Sequence, residues 1–160
     1  MLVKPKAPFR KTIKMSGSRT RVIFYTVAAV ISLAGLADAT YLTVMYLTGE
    51  TAVCGGSASC FQVLGSAYAR IGGIPVAALG ALAYFAAFSF AIFAAFGYAR
   101  MRTFFALIVC AMFAMALWLL YVQAFLLHAF CRYCLFSAAV TFLLAGIAVA
   151  IPPSPKSSTA

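Results

Sequence analysis

Five cysteines are the residues of this chain best suited to chemistry, and four of them form two closely spaced pairs. Cys131 and Cys134 enclose only Arg132 and one other residue, whereas Cys54 and Cys60 bound a Gly- and Ser-rich segment. Sulfurs three residues apart share one face of a helix, and a helix start and a nearby cation both favour the reactive thiolate. A thiolate of one pair can attack the disulfide of another. The pattern therefore indicates thiol–disulfide redox chemistry.

Two other interpretations of the pairs are open at this point. Either pair could be a structural disulfide, although the short Cys54–Cys60 ring would stabilise the fold little. The four cysteines together with His128 could instead supply four ligands to a zinc ion. The fifth cysteine, Cys110, lies within a long apolar run and is expected to be a small core residue.

The elements that position these cysteines are expected to be helices in a membrane. Of the 160 residues, 66% are hydrophobic and 9% are charged, whereas a typical soluble domain is about 25% charged. Four apolar runs cover about 22–47, 74–96, 103–127 and 131–151, and each is long enough to cross a hydrocarbon core of about 30 Å. Because lipid offers no partner for exposed backbone groups, all four runs must be helical. The predicted fold is an all-α integral membrane protein, a four-transmembrane-helix bundle over residues 22–151.

The distribution of Lys and Arg predicts the topology. Residues 1–21 hold seven of the twelve positive charges and are interpreted as a basic cytoplasmic tail rather than a nucleic-acid-binding arm. With this end inside, only Arg70 and Arg132 fall on the outer side, so both termini are cytoplasmic, including a disordered tail 152–160. Both cysteine pairs then lie on the outer face. Ala37–Ala39 also fits a signal-peptide cleavage site, but the apolar run continues well beyond it as a full span.

Two polar residues within the runs are candidates for the bundle interior. Asp38 is the only acid inside a predicted span and is expected to face away from lipid. It would either bond a neighbouring helix or hold a proton near the reacting groups. Gln123, near the outer end of the third run, is expected to line a pocket. Trp118 and Tyr121 would either line it too or belong to the interfacial aromatic belt.

The loop between the first two runs is expected to form a lid on the outer face. Residues 61–71 mix apolar and aromatic side chains without reaching spanning length, which is typical of a half-helix lying over a bundle mouth. Ser66 is a candidate N-cap for a short helix over 67–71. Gly72 and Gly73 then turn the chain into the second span.

In this order and topology, the motifs resemble those of the vitamin K epoxide reductase family, and of its bacterial branch in particular. The resemblance covers roughly residues 20–150, and its elements are Gly35–Leu42, Cys54-x5-Cys60, Ser66, Gly72–Val76 and Cys131-x-x-Cys134. It implies a membrane thiol–quinone oxidoreductase that supports disulfide bond formation, in a bacterial inner membrane. The lipid quinone, ubiquinone or menaquinone, would bind near the outer face.

The resemblance also implies one step of an electron relay for each of four cysteines. Cys54 would meet a thioredoxin-like or DsbA-like periplasmic protein, and Cys60 would pass the electrons inward. Cys131 would receive them, and Cys134 would lie against the quinone.

Three further residues are expected at the quinone. Ser66 would bond a quinone carbonyl, and Asp38 and Gln123 would lie beside it.

The chain departs from the family in two ways. No thioredoxin-like segment is expected within the 160 residues, so a separate partner protein is expected. The chain also has Leu135–Ala138 where vertebrate enzymes have Thr-Tyr-Ala, so vitamin K epoxide is not the expected natural substrate. The alternative function is a small membrane transporter or a zinc-binding membrane protein.

Overall fold

A computed structural model describes residues 9–48 and 58–151. Cys54 and the predicted tail 152–160 lie outside these ranges, so their assignments stay predictions. The predicted basic tail 1–21 lies partly inside them. The first helix begins at Phe9, so the second half of that tail continues the first span as helix.

The described chain is helical except for short connections. In chain order its elements are α1 (Phe9–Thr48), α2 (Ala58–Gly65), a 3-10 turn (Ala67–Ala69), β1 (Arg70–Ile71), β2 (Ile74–Pro75), α3 (Val76–Ala95), α4 (Ala99–Tyr121), a π-helical segment (Val122–Leu126) and α5 (Arg132–Ala150).

Four of the described helices are long and apolar enough to cross a membrane. The spanning segments are Arg19–Thr48, Val76–Ala95, Ala99–Leu126 and Arg132–Ala150. Their ends differ by at most about four residues from those read off the apolar runs. The predicted four-transmembrane-helix bundle is thus confirmed.

Small residues bring α1 and α3 together along the most extensive helix–helix contact of the bundle. The buried alanines at this contact are Ala28, Ala29, Ala39, Ala87, Ala91 and Ala94. At Gly35 the approach is closer still, because a Cβ there would overlap the ring of Tyr84. A glycine at this position of α1 is therefore what allows the Tyr84 side chain to lie between the two helices.

Large apolar side chains cover the outward faces of the spans. Among the most exposed are Val149, Phe96, Leu47, Leu82 and Phe125. An exposed apolar surface of this extent would aggregate in water, but it matches the hydrocarbon of a bilayer.

A lid covers the end of the bundle at which α5 begins. It consists of α2, the 3-10 turn and the antiparallel β1–β2 hairpin, which leads directly into α3. The hairpin turn is Gly72-Gly73, whose φ angles of 61° and 86° lie in the left-handed region that glycine adopts without strain. The half-helix lid predicted over residues 61–71 is confirmed, although its second half is a turn and a short strand.

Candidate active site

The C-x-x-C pair opens α5. Cys131 is the residue immediately before the helix and is fully buried, and Cys134, one turn later, is half-buried. A hydrogen bond with the Cys134 thiol is the largest effect that lowers the pKa of Cys131, from 9.0 to about 7. Burial opposes this shift, and the backbone N–H groups of Cys134 and Tyr133 add to it. Arg132 is exposed, and the contribution of its charge to the Cys131 thiolate stays a prediction.

Gln123 fixes the position of Cys131. It lies in the π-helical segment, is 2% exposed, and its Oε1 accepts a hydrogen bond from the backbone N–H of Cys131 at 3.2 Å. Its backbone carbonyl accepts a second from the N–H of Ala129 at 3.2 Å. Between Gln123 and Ala129 the chain turns sharply at His128, whose φ of 48° is left-handed. One glutamine thus holds the whole connection from the third span to the reactive thiol.

An apolar cavity of about 300 Å³ lies beneath the lid, and all five helices contribute to its wall. Most of its lining is apolar, including Met112 and Leu119 of α4. Cys134, Ser66 and Gln123, all predicted site residues, line it as well. A concave, mostly apolar cavity with a few polar groups is the usual form of a small-molecule site.

Three hydroxyl groups form a polar cluster in the wall of this cavity. The Tyr84 hydroxyl donates to the Ser137 carbonyl at 2.8 Å and lies 2.9 Å from both Ser137 Oγ and Thr141 Oγ1. Ser137 follows Cys134 by three residues, so the cluster and the thiol share one face of α5. The sequence analysis missed the roles of Tyr84 and Thr141, because a hydroxyl within an apolar run does not reveal its partner.

Asp38 lies within electrostatic range of the thiol pair rather than in the cavity wall. Its charge acts on Cys131, Cys134 and Tyr84, although among the described residues it is not part of the lining. Its Oδ2 is enclosed by protein and has no hydrogen-bond partner within the described part of the chain. A carboxyl oxygen without a hydrogen-bond partner among the described residues therefore lies within electrostatic range of the two thiols.

Ser66 does not cap a helix. Residues 70 and 71 form β1, so only Ala67–Ala69 is helical, and Ser66 makes no side-chain capping bond to this turn. Its Oγ donates instead to the carbonyl of Val63 at 2.8 Å. The N-cap interpretation is wrong for this reason, and the hydroxyl remains at the cavity wall.

The lid helix rests directly on the buried thiol. Val63 of α2 forms a buried cluster with Ala129 and Cys131. Cys60 belongs to the same helix and precedes Val63 by three residues, whereas Cys54 lies outside the described residues. The helix that carries one cysteine of the loop pair is thus the one packed against Cys131.

Three residues of the third span face away from the cavity. Cys110 is exposed on α4, because the position turned toward the core is the preceding residue, Val109; its predicted place in the core is wrong. Trp118 and Tyr121 are exposed, and their rings lie 6.2 Å apart between centroids with a tilt of 30°. Exposed aromatic side chains of this kind are typical of an interfacial belt.

No group of three potential metal ligands comes together within the described residues. The zinc hypothesis needs ligands from the loop pair, and Cys54 of that pair lies outside those residues.

Fold and site together define a class: a membrane-embedded helical protein with a thiol pair at the edge of an apolar cavity. The model of the vitamin K epoxide reductase family matches residues 26–149. The chain therefore belongs to this family, which confirms the resemblance and makes the protein a membrane oxidoreductase. No curated protein matches the chain.

Proposed function

We propose that this protein is a thiol–quinone oxidoreductase that passes electrons from a thioredoxin-like protein through two cysteine pairs to a lipid quinone. The observation that carries the proposal is the placement of the C-x-x-C pair. Cys134 lines the apolar cavity, and Cys131 is buried against the lid helix that carries Cys60. One thiol of the pair therefore lies at the apolar cavity, and the other lies against the helix that carries Cys60.

The cavity suits a quinone because its wall is apolar and its polar groups are few. A bound quinone would accept two electrons and two protons. Ser66 would give up its bond to Val63 in order to donate to a quinone carbonyl. The hydroxyl cluster around Tyr84 offers further polar contact along the same wall. The residues present thus fit the group.

The electron path follows from thiol–disulfide exchange. A reduced partner would open the Cys54–Cys60 disulfide and leave oxidised. The Cys60 thiolate would then attack Cys131 of the second disulfide and release Cys134 as a thiolate, and Cys54 would resolve the Cys60–Cys131 bond. Closing the Cys131–Cys134 disulfide again releases two electrons and two protons, which balances the reduction of one quinone.

The pKa of Cys131 supports its role as the thiol that closes the disulfide. At a pKa of about 7, roughly half of this thiol is ionised at neutral pH. Asp38, whose Oδ2 has no partner among the described residues and whose charge reaches the pair, would hold a proton near it. Gln123 positions the pair by holding the backbone of Cys131.

The charge distribution supports the location that we propose, a bacterial inner membrane with both termini cytoplasmic. Ten of the twelve Lys and Arg residues would then lie inside. The cysteine pairs would lie on the outer face, where an oxidising compartment favours disulfides.

The order of the relay can be tested by trapping its covalent intermediate. The probe is a purified thioredoxin-like protein whose C-x-x-C is changed to C-x-x-S and whose remaining thiol carries a thionitrobenzoate group. In Cys60→Ala, Cys54 displaces the thionitrobenzoate and forms a mixed disulfide that neither the loop pair nor the probe has a second thiol to resolve, so a reductant-sensitive complex accumulates. In Cys54→Ala no such complex forms, and Cys110→Ser, which keeps both pairs, serves as the control. A complex that appears only in the Cys54 variant would reverse the order of the loop pair.

A further inference from the structure

A second polar cluster lies at the end of the bundle away from the cysteines. Arg102, in the first turn of α4, is half-buried, and its Nε is enclosed by protein without a hydrogen-bond partner among the described residues. Tyr25 of α1 is 2% exposed, and its ring packs edge-on against Phe105 with centroids 5.7 Å apart. Arg21 precedes Tyr25 by one turn of α1, and Arg102 precedes Phe105 by one turn of α4, so both guanidinium groups lie on the N-terminal side of the Tyr25–Phe105 contact. Both act electrostatically on the Tyr25 hydroxyl, and Arg102 acts more strongly. We call Arg21, Tyr25 and Arg102 the distal basic site.

Within the described part of the chain, the two guanidinium groups of the distal basic site have no carboxylate near them. Within the described residues the only acid is Asp38, which lies farther along α1 by roughly 25 Å from Arg21 and acts on the thiol pair. A guanidinium that is partly withdrawn from water at the edge of a bilayer is costly without an anion or an acceptor. The charge at this site is therefore uncompensated by the described protein.

The site lies at the depth where lipid headgroups begin. Arg21 is near the start of the first spanning segment and Arg102 near the start of the third. Guanidinium groups donate in a planar fork that matches a phosphate, and a phenol can donate one further hydrogen bond. Basic pockets between spans at the cytoplasmic side are suited to anionic headgroups.

We propose that the distal basic site binds a phosphate group held between α1 and α4, with Arg102 and Arg21 as its charged donors and Tyr25 as a neutral donor. The phosphate of an anionic phospholipid and free inorganic phosphate share this chemistry. The site is separate from the cavity beneath the lid. It links the starts of the first and third spans, which lie at the end of the bundle away from the thiol pair.

The test is the thermal unfolding of the full chain in a neutral detergent with four additions: phosphatidylglycerol, diacylglycerol, inorganic phosphate or none. Phosphatidylglycerol raises the unfolding temperature saturably, whereas diacylglycerol, which lacks the phosphate, does not. Stabilisation by phosphatidylglycerol alone assigns the phosphate to a lipid, and equal stabilisation by inorganic phosphate assigns it to the free ion.

The variants decide whether the effect belongs to this site. Arg102→Gln raises the concentration of phosphatidylglycerol that gives half of the stabilisation by about tenfold or more, because a hydrogen bond to a charged group is lost. Arg21→Gln does the same at an exposed position where packing is not disturbed, and Tyr25→Phe has a smaller effect. Arg100→Gln removes the same charge from an exposed position on the same helix and leaves the lipid response unchanged. Equal loss in Arg100→Gln, an unchanged response in Arg102→Gln and Arg21→Gln, or stabilisation by diacylglycerol as strong as by phosphatidylglycerol would each overturn the proposal.

Discussion

Replacing Gln123 by leucine tests how the fold positions the reactive thiol. The substitution introduces an apolar side chain of similar size and removes the Oε1 that accepts a hydrogen bond from the Cys131 N–H. Because that N–H is buried, leaving it without an acceptor costs about 1–3 kcal/mol. Cys131 also becomes free to move relative to Cys134, whose thiol is the main reason that the pKa of Cys131 is low. The pKa should therefore rise from about 7 toward the ordinary value of 9.0.

Two measurements on the reduced protein check this prediction. Denaturant unfolding in detergent gives the loss of stability, and thiolate absorbance followed against pH gives the pKa. Gln62→Leu is the matched control, since Gln62 is exposed on the lid helix and should change stability by less than about 0.5 kcal/mol. If Gln123→Leu matched the wild type in both stability and pKa, the positioning role of Gln123 would be refuted.

Three further predictions follow from the same contacts. In the reduced protein the Cys131 thiolate should titrate with a midpoint near 7. Asp38→Asn should lower that midpoint, because the negative charge of Asp38 disfavours the thiolate. An unchanged or higher midpoint in the variant would contradict this prediction. Gly35→Ala should destabilise the protein in denaturant unfolding by about 1–3 kcal/mol, because the added Cβ overlaps the Tyr84 ring. Gly146→Ala is the control: a Cβ there has no neighbouring atom within 4 Å, so the change should be neutral or stabilising by up to about 1 kcal/mol. Tyr84→Phe removes a buried hydroxyl from three contacts and should cost about 1–3 kcal/mol by the same assay, so a stability equal to that of the wild type would show that the hydroxyl cluster contributes nothing.

Features that depend on local composition could be predicted from the sequence. The four spans follow from the length of the apolar runs, and the C-x-x-C falls at a helix start because the last run begins there. The turn at Gly72-Gly73 was likewise predictable, since two adjacent glycines tolerate left-handed backbone angles.

Features that depend on long-range packing could not be predicted. The Tyr84 hydroxyl bonds residues more than fifty positions away, and no periodicity reveals such a contact. Gln123 was expected at the cavity, but its bond to Cys131 depends on a π-helical segment and a left-handed residue. Cys110 was misplaced because the run is apolar on every side, so sequence alone does not show which face is turned to lipid.

The central claim is that Cys134 delivers electrons from the reduced pair to a quinone in the cavity. It is tested most directly by mixing the anaerobic, fully reduced protein with a short-chain ubiquinone and following quinone absorbance over a single turnover. The wild type and Cys110→Ser should each reduce quinone in step with the formation of the Cys131–Cys134 disulfide, and Cys134→Ser should reduce none while remaining folded. Quinone reduction by Cys134→Ser at the wild-type rate, or none by the folded wild type, would contradict the account.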